Sequence, residues 1–137
     1  MSAIPKNMTV SGKRKTAIAK ATIRKGSGRV TINKKPYENL DFFKKLTIQE
    51  PIEIATKVLG NFDFDISVNI AGGGSEGQIS AARLAIAKSL VKFTGSDKLK
   101  DAFASYDKTL LVADIRRKEA NKPGDSKARK KRQKSFR

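Results

Sequence analysis

The sequence predicts an α+β fold of two layers, a sheet covered by helices on one face, followed by an extended basic tail. Three observations predict it. Apolar residues recur at every second position over 16–24 and 62–70 and at helical spacing over 79–93, which reads as the order β-β-α-β-α-α-β. The 137 residues leave room for one modest core in a domain of about 110 residues. The last twenty-two lack apolar periodicity and contain the helix-breaking pair Pro123-Gly124. The expected organisation is a globular domain over 1–115, with a basic N-terminal hairpin, and a tail over 116–137.

The elements follow in order. From Thr16 to Arg24, Ala17, Ala19, Ala21 and Ile23 alternate with Thr16, Lys20, Thr22 and Arg24, the pattern of a strand with one wet face. Lys25-Gly26-Ser27-Gly28 is read as a turn with two residues free to take positive φ, and Arg29–Asn33 as the strand that returns beside the first. Asn39 is placed as the cap of a short turn through Phe43. Pro51 is placed at the first position of a helix that buries Ile52, Ala55 and Leu59 and stops at Gly60. Phe62, Phe64, Ile66, Val68 and Ile70 alternate with Asp63, Asp65, Ser67 and Asn69, the clearest strand of the chain. Ile79, Ala82, Ile86, Leu90 and Phe93 then lie on one helical stripe that ends near Gly95, with Ser75 and Gln78 as a capping box. Ser96 caps a shorter helix that buries Leu99 and Phe103, and Leu110-Leu111-Val112 is read as a last buried strand.

Charge is segregated along this framework. The net charge is +17, yet residues 36–115 carry nine basic and eleven acidic side chains. Residues 1–35 hold ten basic side chains and no acidic one, and residues 116–137 hold eleven against Glu119 and Asp125. Cationic ends on a near-neutral body are an electrostatic footprint for a phosphate backbone. A tail of this composition needs a polyanion to order it. Acidic residues would serve solubility better, so charge for solubility alone explains the pattern less well.

The same composition disfavours many other functions. There is no Cys and no His, hence no disulfide framework, no thiolate and no imidazole for metal binding or general base work. The start Met1-Ser2-Ala3-Ile4-Pro5-Lys6 has no apolar signal-peptide core, no stretch approaches a membrane span, and no basic amphipathic helix is seen, so a cytoplasmic protein without membrane contacts is expected. Gly72-Gly73-Gly74-Ser75-Glu76-Gly77 satisfies G-x-G-x-x-G between a strand and a helix, with Asp97 twenty residues beyond Gly77. Asp97, however, starts a helix instead of ending a strand. Read as a P-loop, the motif has Gln78 where the phosphate-binding Lys would stand and Ile79 where the Mg²⁺-binding hydroxyl would stand. What survives is either a nest of backbone N–H groups suited to an RNA phosphate or a set of glycines that lets backbone pass close to backbone. Asp63 and Asp65 read as the solvated side of a strand, and neither a catalytic group, a metal nor a cofactor is expected.

Residues 72–90, GGGSEGQISAARLAIAKSL, resemble the signature of the ninth protein of the small ribosomal subunit, in its archaeal and eukaryotic branch. Gly12-Lys13-Arg14-Lys15-Thr16-Ala17-Ile18-Ala19 is similar to that family's opening strand, and Gly26–Asn33 to its first hairpin. Asp114, Arg116, Glu119, Lys122, Gly124, Ala128, Arg129, Gln133, Ser135 and Arg137 fall in its tail pattern. The resemblance implies a left-handed β-α-β crossover, a place in the subunit head on ribosomal RNA beside other head proteins, and a tail whose tip contacts the anticodon stem-loop of P-site tRNA. Phe136 departs from the bacterial ending Ser-Lys-Arg and could stack on a base or ribose.

The resulting expectation is a structural protein of the subunit head, with an architectural DNA-packing protein as the alternative that would share the tail but not the glycine signature. The expected ribosomal RNA contacts are Lys13, Arg14, Lys15, Lys20, Arg24 and Arg29 near the N-terminus and Gly72, Gly73, Gly74 and Gln78 in the loop. In the tail they are Arg116, Arg117, Lys118, Lys122, Lys127, Arg129, Lys130, Lys131 and Arg132. The expected tRNA contacts are Lys134, Ser135, Phe136 and Arg137.

Overall fold

The structure, a computed structural model, describes residues 7–124 and 127–129. Five strands form one sheet: β1 (Met8–Arg14), β2 (Ala17–Lys25), β3 (Val30–Ile32), β4 (Lys35–Pro36) and β5 (Phe64–Ala71). Three α-helices accompany it: α1 (Phe42–Leu59), α2 (Ser75–Thr94) and α3 (Asp97–Tyr106). The strand order is β1-β2-β5-β3-β4, antiparallel except for the parallel pair β3 and β5, whose connection runs through α1. The chain thus has the expected α+β architecture, with the helices on one face.

Alternation along each strand sorts the sheet into two faces. Val10, Ala21, Val68 and Ile32 form one register row, and Ile23, Ile66 and Val30 another; all are buried against the helices. Thr9, Thr22, Ser67 and Thr31 form a row on the opposite, open face. α2 lies directly over β1 and β2 because the facing residues are small: Ala81, Ala82 and Ala85 against Gly12, Ala17 and Ala19. A Cβ on Gly12 would stand 2.5 Å from the Ala81 carbonyl oxygen and 2.7 Å from the Ala85 nitrogen. α1 and α3 complete the layer, burying Ile48, Ala55, Leu99 and Phe103 in the same core.

Several expected elements are redrawn. The opening strand is two strands, β1 and β2, joined by Lys15 and Thr16, with Arg14 paired to Ala17. Alternation at Val10 and Gly12 is too short to reveal the first. The strand at residues 29–33 does not return beside β2. Instead β5 inserts between them, since the most apolar strand gains most from neighbours on both sides. Of the turn residues, only Gly28 has positive φ, at 98°. Pro51 sits inside α1, not at its start. Its missing N–H costs a helical bond, and burial of Ile48, Pro51 and Ala55 on the neighbouring helices offsets the loss. The capping box does not form: Gly74 is the N-cap without a side-chain bond, and Gln78 Nε2 donates instead to the Gly72 carbonyl at 3.0 Å. Ser96 caps α3 as expected, its Oγ accepting from Leu99 N–H at 3.3 Å. Leu110-Leu111-Val112 is not a strand. Asp107 accepts from Thr109 N–H at 3.0 Å and starts a single 3-10 turn that buries only Leu110.

Two glycines should respond to alanine with opposite signs. Gly12→Ala forces α2 off β1 and should lose about 1–3 kcal/mol in denaturant unfolding. Gly77→Ala places a methyl at ordinary van der Waals distance, 3.8 Å from Ala17 Cβ, and should gain about 0.5 kcal/mol of helix propensity. Equal effects would refute the close-approach account.

Candidate nucleic-acid interface

The basic residues near the N-terminus divide between two surfaces. The first is a corner at one end of the sheet, where three chain segments meet. Its base is the β1–β2 turn, tight enough that Lys15 takes a left-handed backbone with φ 54°. Left-handed geometry in a residue other than glycine costs roughly 1–2 kcal/mol, so the turn holds Lys15 against a local preference. The glycine loop lies across that turn. A Cβ on Gly72 would stand 2.7 Å from the Thr16 carbonyl oxygen, and one on Gly73 would stand 2.9 Å from Ala17 Cβ. Both glycines also have positive φ, at 78° and 67°, whereas Gly74 is extended and open. Close backbone approach therefore accounts for Gly72 and Gly73. An alternating right-handed and left-handed nest is not what the loop adopts.

The third segment is the root of the tail. Arg14 and Arg116 both pair with the carboxylate of Asp114, Arg116 at 2.7 Å. This brings Arg116, Arg117 and Lys118 beside Lys15 around one concavity, which adjoins a second lined by Lys15, Thr16 and the glycine loop. Arg14, Lys15, Gly72, Gly73, Gly74, Gln78, Arg116, Arg117 and Lys118 are thus gathered from positions up to about a hundred residues apart. The N-cap of α2 has no side-chain bond, so its first N–H groups open onto the same corner, with Glu76 in the first turn as an opposing charge.

The second surface is the open sheet face. Lys13 and Lys20 project from it on alternate strand positions, and Arg24 and Arg29 flank a shallow depression floored by Thr22, Thr31 and Ser67. Asp65 lies in that depression and is not merely a solvated strand residue. Its Oδ1 accepts from Ser27 N–H at 3.0 Å and Arg29 N–H at 3.1 Å, and Arg24 stands 3.8 Å away. The Arg29 amide first, then those of Ser27 and Gly28 and the Arg24 charge, hold the Asp65 carboxyl below the usual carboxylate range. Asp63 precedes β5 and accepts from Asn61 Nδ2 at 2.6 Å. Among the described residues no cluster of three acidic side chains could hold a metal.

Further along the tail, Lys122, Lys127 and Arg129 are exposed, with Arg129 donating to Glu119 at 2.8 Å. Lys130, Lys131, Arg132, Lys134, Ser135, Phe136 and Arg137 lie outside the described residues. Sequence reasoning missed the organising roles of Asp65 and Asp114. The 26–29 loop that Asp65 holds and the Arg14 that pairs with Asp114 are distant in the chain, so only the Asp114–Arg116 pair is local.

Comparison with known proteins adds a family. The ribosomal protein S9/S16 family matches residues 12–137. The chain is similar to the small ribosomal subunit protein uS9 of Methanococcus vannielii, 48% identical over 129 residues that cover 92% of this chain and 95% of that relative. It is also similar to uS9 of Methanococcus maripaludis strain C7, 50% identical over the same coverage.

The Asp65 hydrogen bonds have a pH signature. Because the folded-state pKa is lowered, the stabilisation is present above the unfolded value of about 4 and drains as pH falls through the folded value. Asp65→Asn should be less stable than the parent at pH 7, and the gap should close as the solution is acidified below about pH 4. A gap that is constant with pH, followed by urea unfolding, would contradict the loop-staple role.

Proposed function

Since the chain belongs to the ribosomal protein S9/S16 family, it is a structural, non-enzymatic component of the small ribosomal subunit, and we propose that it binds ribosomal RNA through two basic surfaces and reaches P-site tRNA with its tail. The observation that carries this reading is the corner where the tail root Arg116–Lys118 and the start of α2 line two adjoining concavities that share Lys15. Guanidinium and ammonium groups there, with unbonded helix N–H groups, suit phosphate oxygens. The second region is the open sheet face, where Lys13, Lys20, Arg24 and Arg29 stand over small hydroxyl side chains that let a sugar-phosphate backbone approach closely. Both surfaces position RNA without reading its sequence.

The tail extends the reach. Residues 116–137 carry eleven cations and can span roughly 70 Å when extended, at about 3.3 Å per residue. In this reading Lys122, Lys127, Arg129, Lys130, Lys131 and Arg132 anchor in ribosomal RNA. Lys134, Ser135, Phe136 and Arg137 meet the tRNA, Arg137 on phosphate and Phe136 on a base or ribose. Such a protein works in the cytoplasm with RNA and the neighbouring proteins of the subunit head. The family assignment leaves the DNA-packing alternative without support.

Two measurements test the reading. RNA affinity should fall steeply with salt, and removal of residues 116–137 should lower the slope by several units, at about 0.7–0.9 for each phosphate that is no longer neutralised. An unchanged slope would rule out the tail as a phosphate clamp. Removing only Phe136 and Arg137 should leave folding and subunit assembly intact while speeding tRNA dissociation from the P site of purified subunits, about tenfold at low ionic strength and less as salt rises. Equal dissociation rates at equal protein occupancy would leave the tail as an assembly anchor only.

A further inference from the structure

The tail leaves the body through Leu111–Ile115, where the chain has neither helix nor strand beyond the amides of Leu111 and Val112 that close the preceding turn. Backbone pairing therefore does not set its direction. One carboxylate bridges the body and the tail root. Asp114, with a side chain only 17% exposed, pairs with Arg14 of β1 on the body side. On the tail side Arg116 donates through Nη2 at 2.7 Å and through Nε to both oxygens at 3.0 and 3.1 Å, and the Arg116 backbone N–H adds a bond at 2.9 Å. The Asp114 carbonyl accepts from Arg117 Nη1 at 3.1 Å.

An acid at this point opposes the charge logic of the surface. It lowers the local charge by one unit and competes with phosphate for two guanidiniums. Its geometry supplies something else, a fixed link between β1 and the first cations of the tail. Without it, no pairing to β1 would direct the root of the tail. Held by Asp114, Arg116, Arg117 and Lys118 start beside Lys15. We propose that Asp114 is a positioning residue, a clamp that sets the direction in which the tail departs and so gains register on structured RNA at the expense of raw attraction to polyanions. This inference rests on the RNA-binding reading above and adds to it the residue that aims the tail.

The two effects have opposite signs and can be separated. Asp114→Asn adds one positive charge and frees Arg14 and Arg116. Its affinity for unstructured poly(U) should be unchanged or higher, while its affinity for the folded head region of small-subunit ribosomal RNA should fall about threefold to fivefold at the same salt. A role limited to charge or to general stability would move both affinities together. Geometry is read in the free full-length protein, which has no native Cys, from spin labels on Lys92→Cys in α2 and Ala120→Cys in the tail. A narrow distance distribution is expected with Asp114 and a broad one with Asp114→Asn. Identical distributions in parent and Asp114→Asn would overturn the clamp. A broadened distribution with parallel changes in the two affinities would overturn its role on RNA. A parent protein that does not prefer ribosomal RNA to poly(U) would overturn the RNA reading itself, whatever the distances show.

Discussion

The architecture depends on how closely α2 approaches β1 and β2. Packed layers normally stand about 10 Å apart, separated by side chains. Gly12, Ala17 and Ala19 below, with Ala81, Ala82 and Ala85 above, remove most of that spacer, so that the backbone of α2 rests almost on the backbone of β1. The helix start is thereby brought down onto the β1–β2 turn. Gly72 and Gly73 exist in left-handed geometry because the loop feeding α2 must cross Thr16 and Ala17 with backbone almost touching backbone. The basic corner is a product of this packing. Larger residues at the interface would lift α2 and carry the glycine loop away from Lys15.

Around that fixed approach, acidic residues do most of the organising. Asp65 gathers the amides of the 26–29 loop, Asp114 joins the tail root to β1, and Asp107 with Glu50 holds Arg83 between α1, α2 and the turn after α3. Thr109 N–H, and after it the Thr109 hydroxyl and Arg83, lower the Asp107 carboxyl from its usual range. In a chain with thirty cations and thirteen acids, Asp65 and Asp114 pair with some cations of the two surfaces, while Glu50 and Asp107 are spent on Arg83, away from both. Arg83 is an exception among the cations, largely buried and saturated by Glu50 and Asp107.

Much of the fold is legible in the sequence because it obeys local rules. The alternation at Ile66 and Val68, the stripe from Ile79 to Phe93, the Gly95 stop and the Ser96 cap each depend on residues within a few positions. The misreadings share a different cause. β3 reads as the partner of β2 because a glycine turn joins them, but pairing is decided by β5, more than thirty residues downstream. Pro51 reads as a helix start because the packing that tolerates it lies on other helices. Leu110–Val112 reads as a strand because three apolar residues carry no information on whether a neighbouring strand has room. At the candidate interface the cationic residues are visible from composition. Their division between a corner and an open face is not, since it follows from the β1–β2 turn and from long-range pairing with Asp65 and Asp114.

The insertion of β5 between β2 and β3 also imposes an order in time. During synthesis the first thirty-six residues can form two local pairings, β1 with β2 and β3 with β4, but neither can be joined to the other until Phe64–Ala71 has been made. At ordinary elongation rates of about 5–20 residues per second, that interval lasts roughly two to seven seconds. Throughout it Ile23, Val30 and Ile32 lack both the β5 neighbours and the later helices that bury them, among ten basic residues already made. The centre of the sheet is therefore a late-closing, high-contact-order element. Those cations keep the half-made chains apart by mutual repulsion until the middle strand arrives.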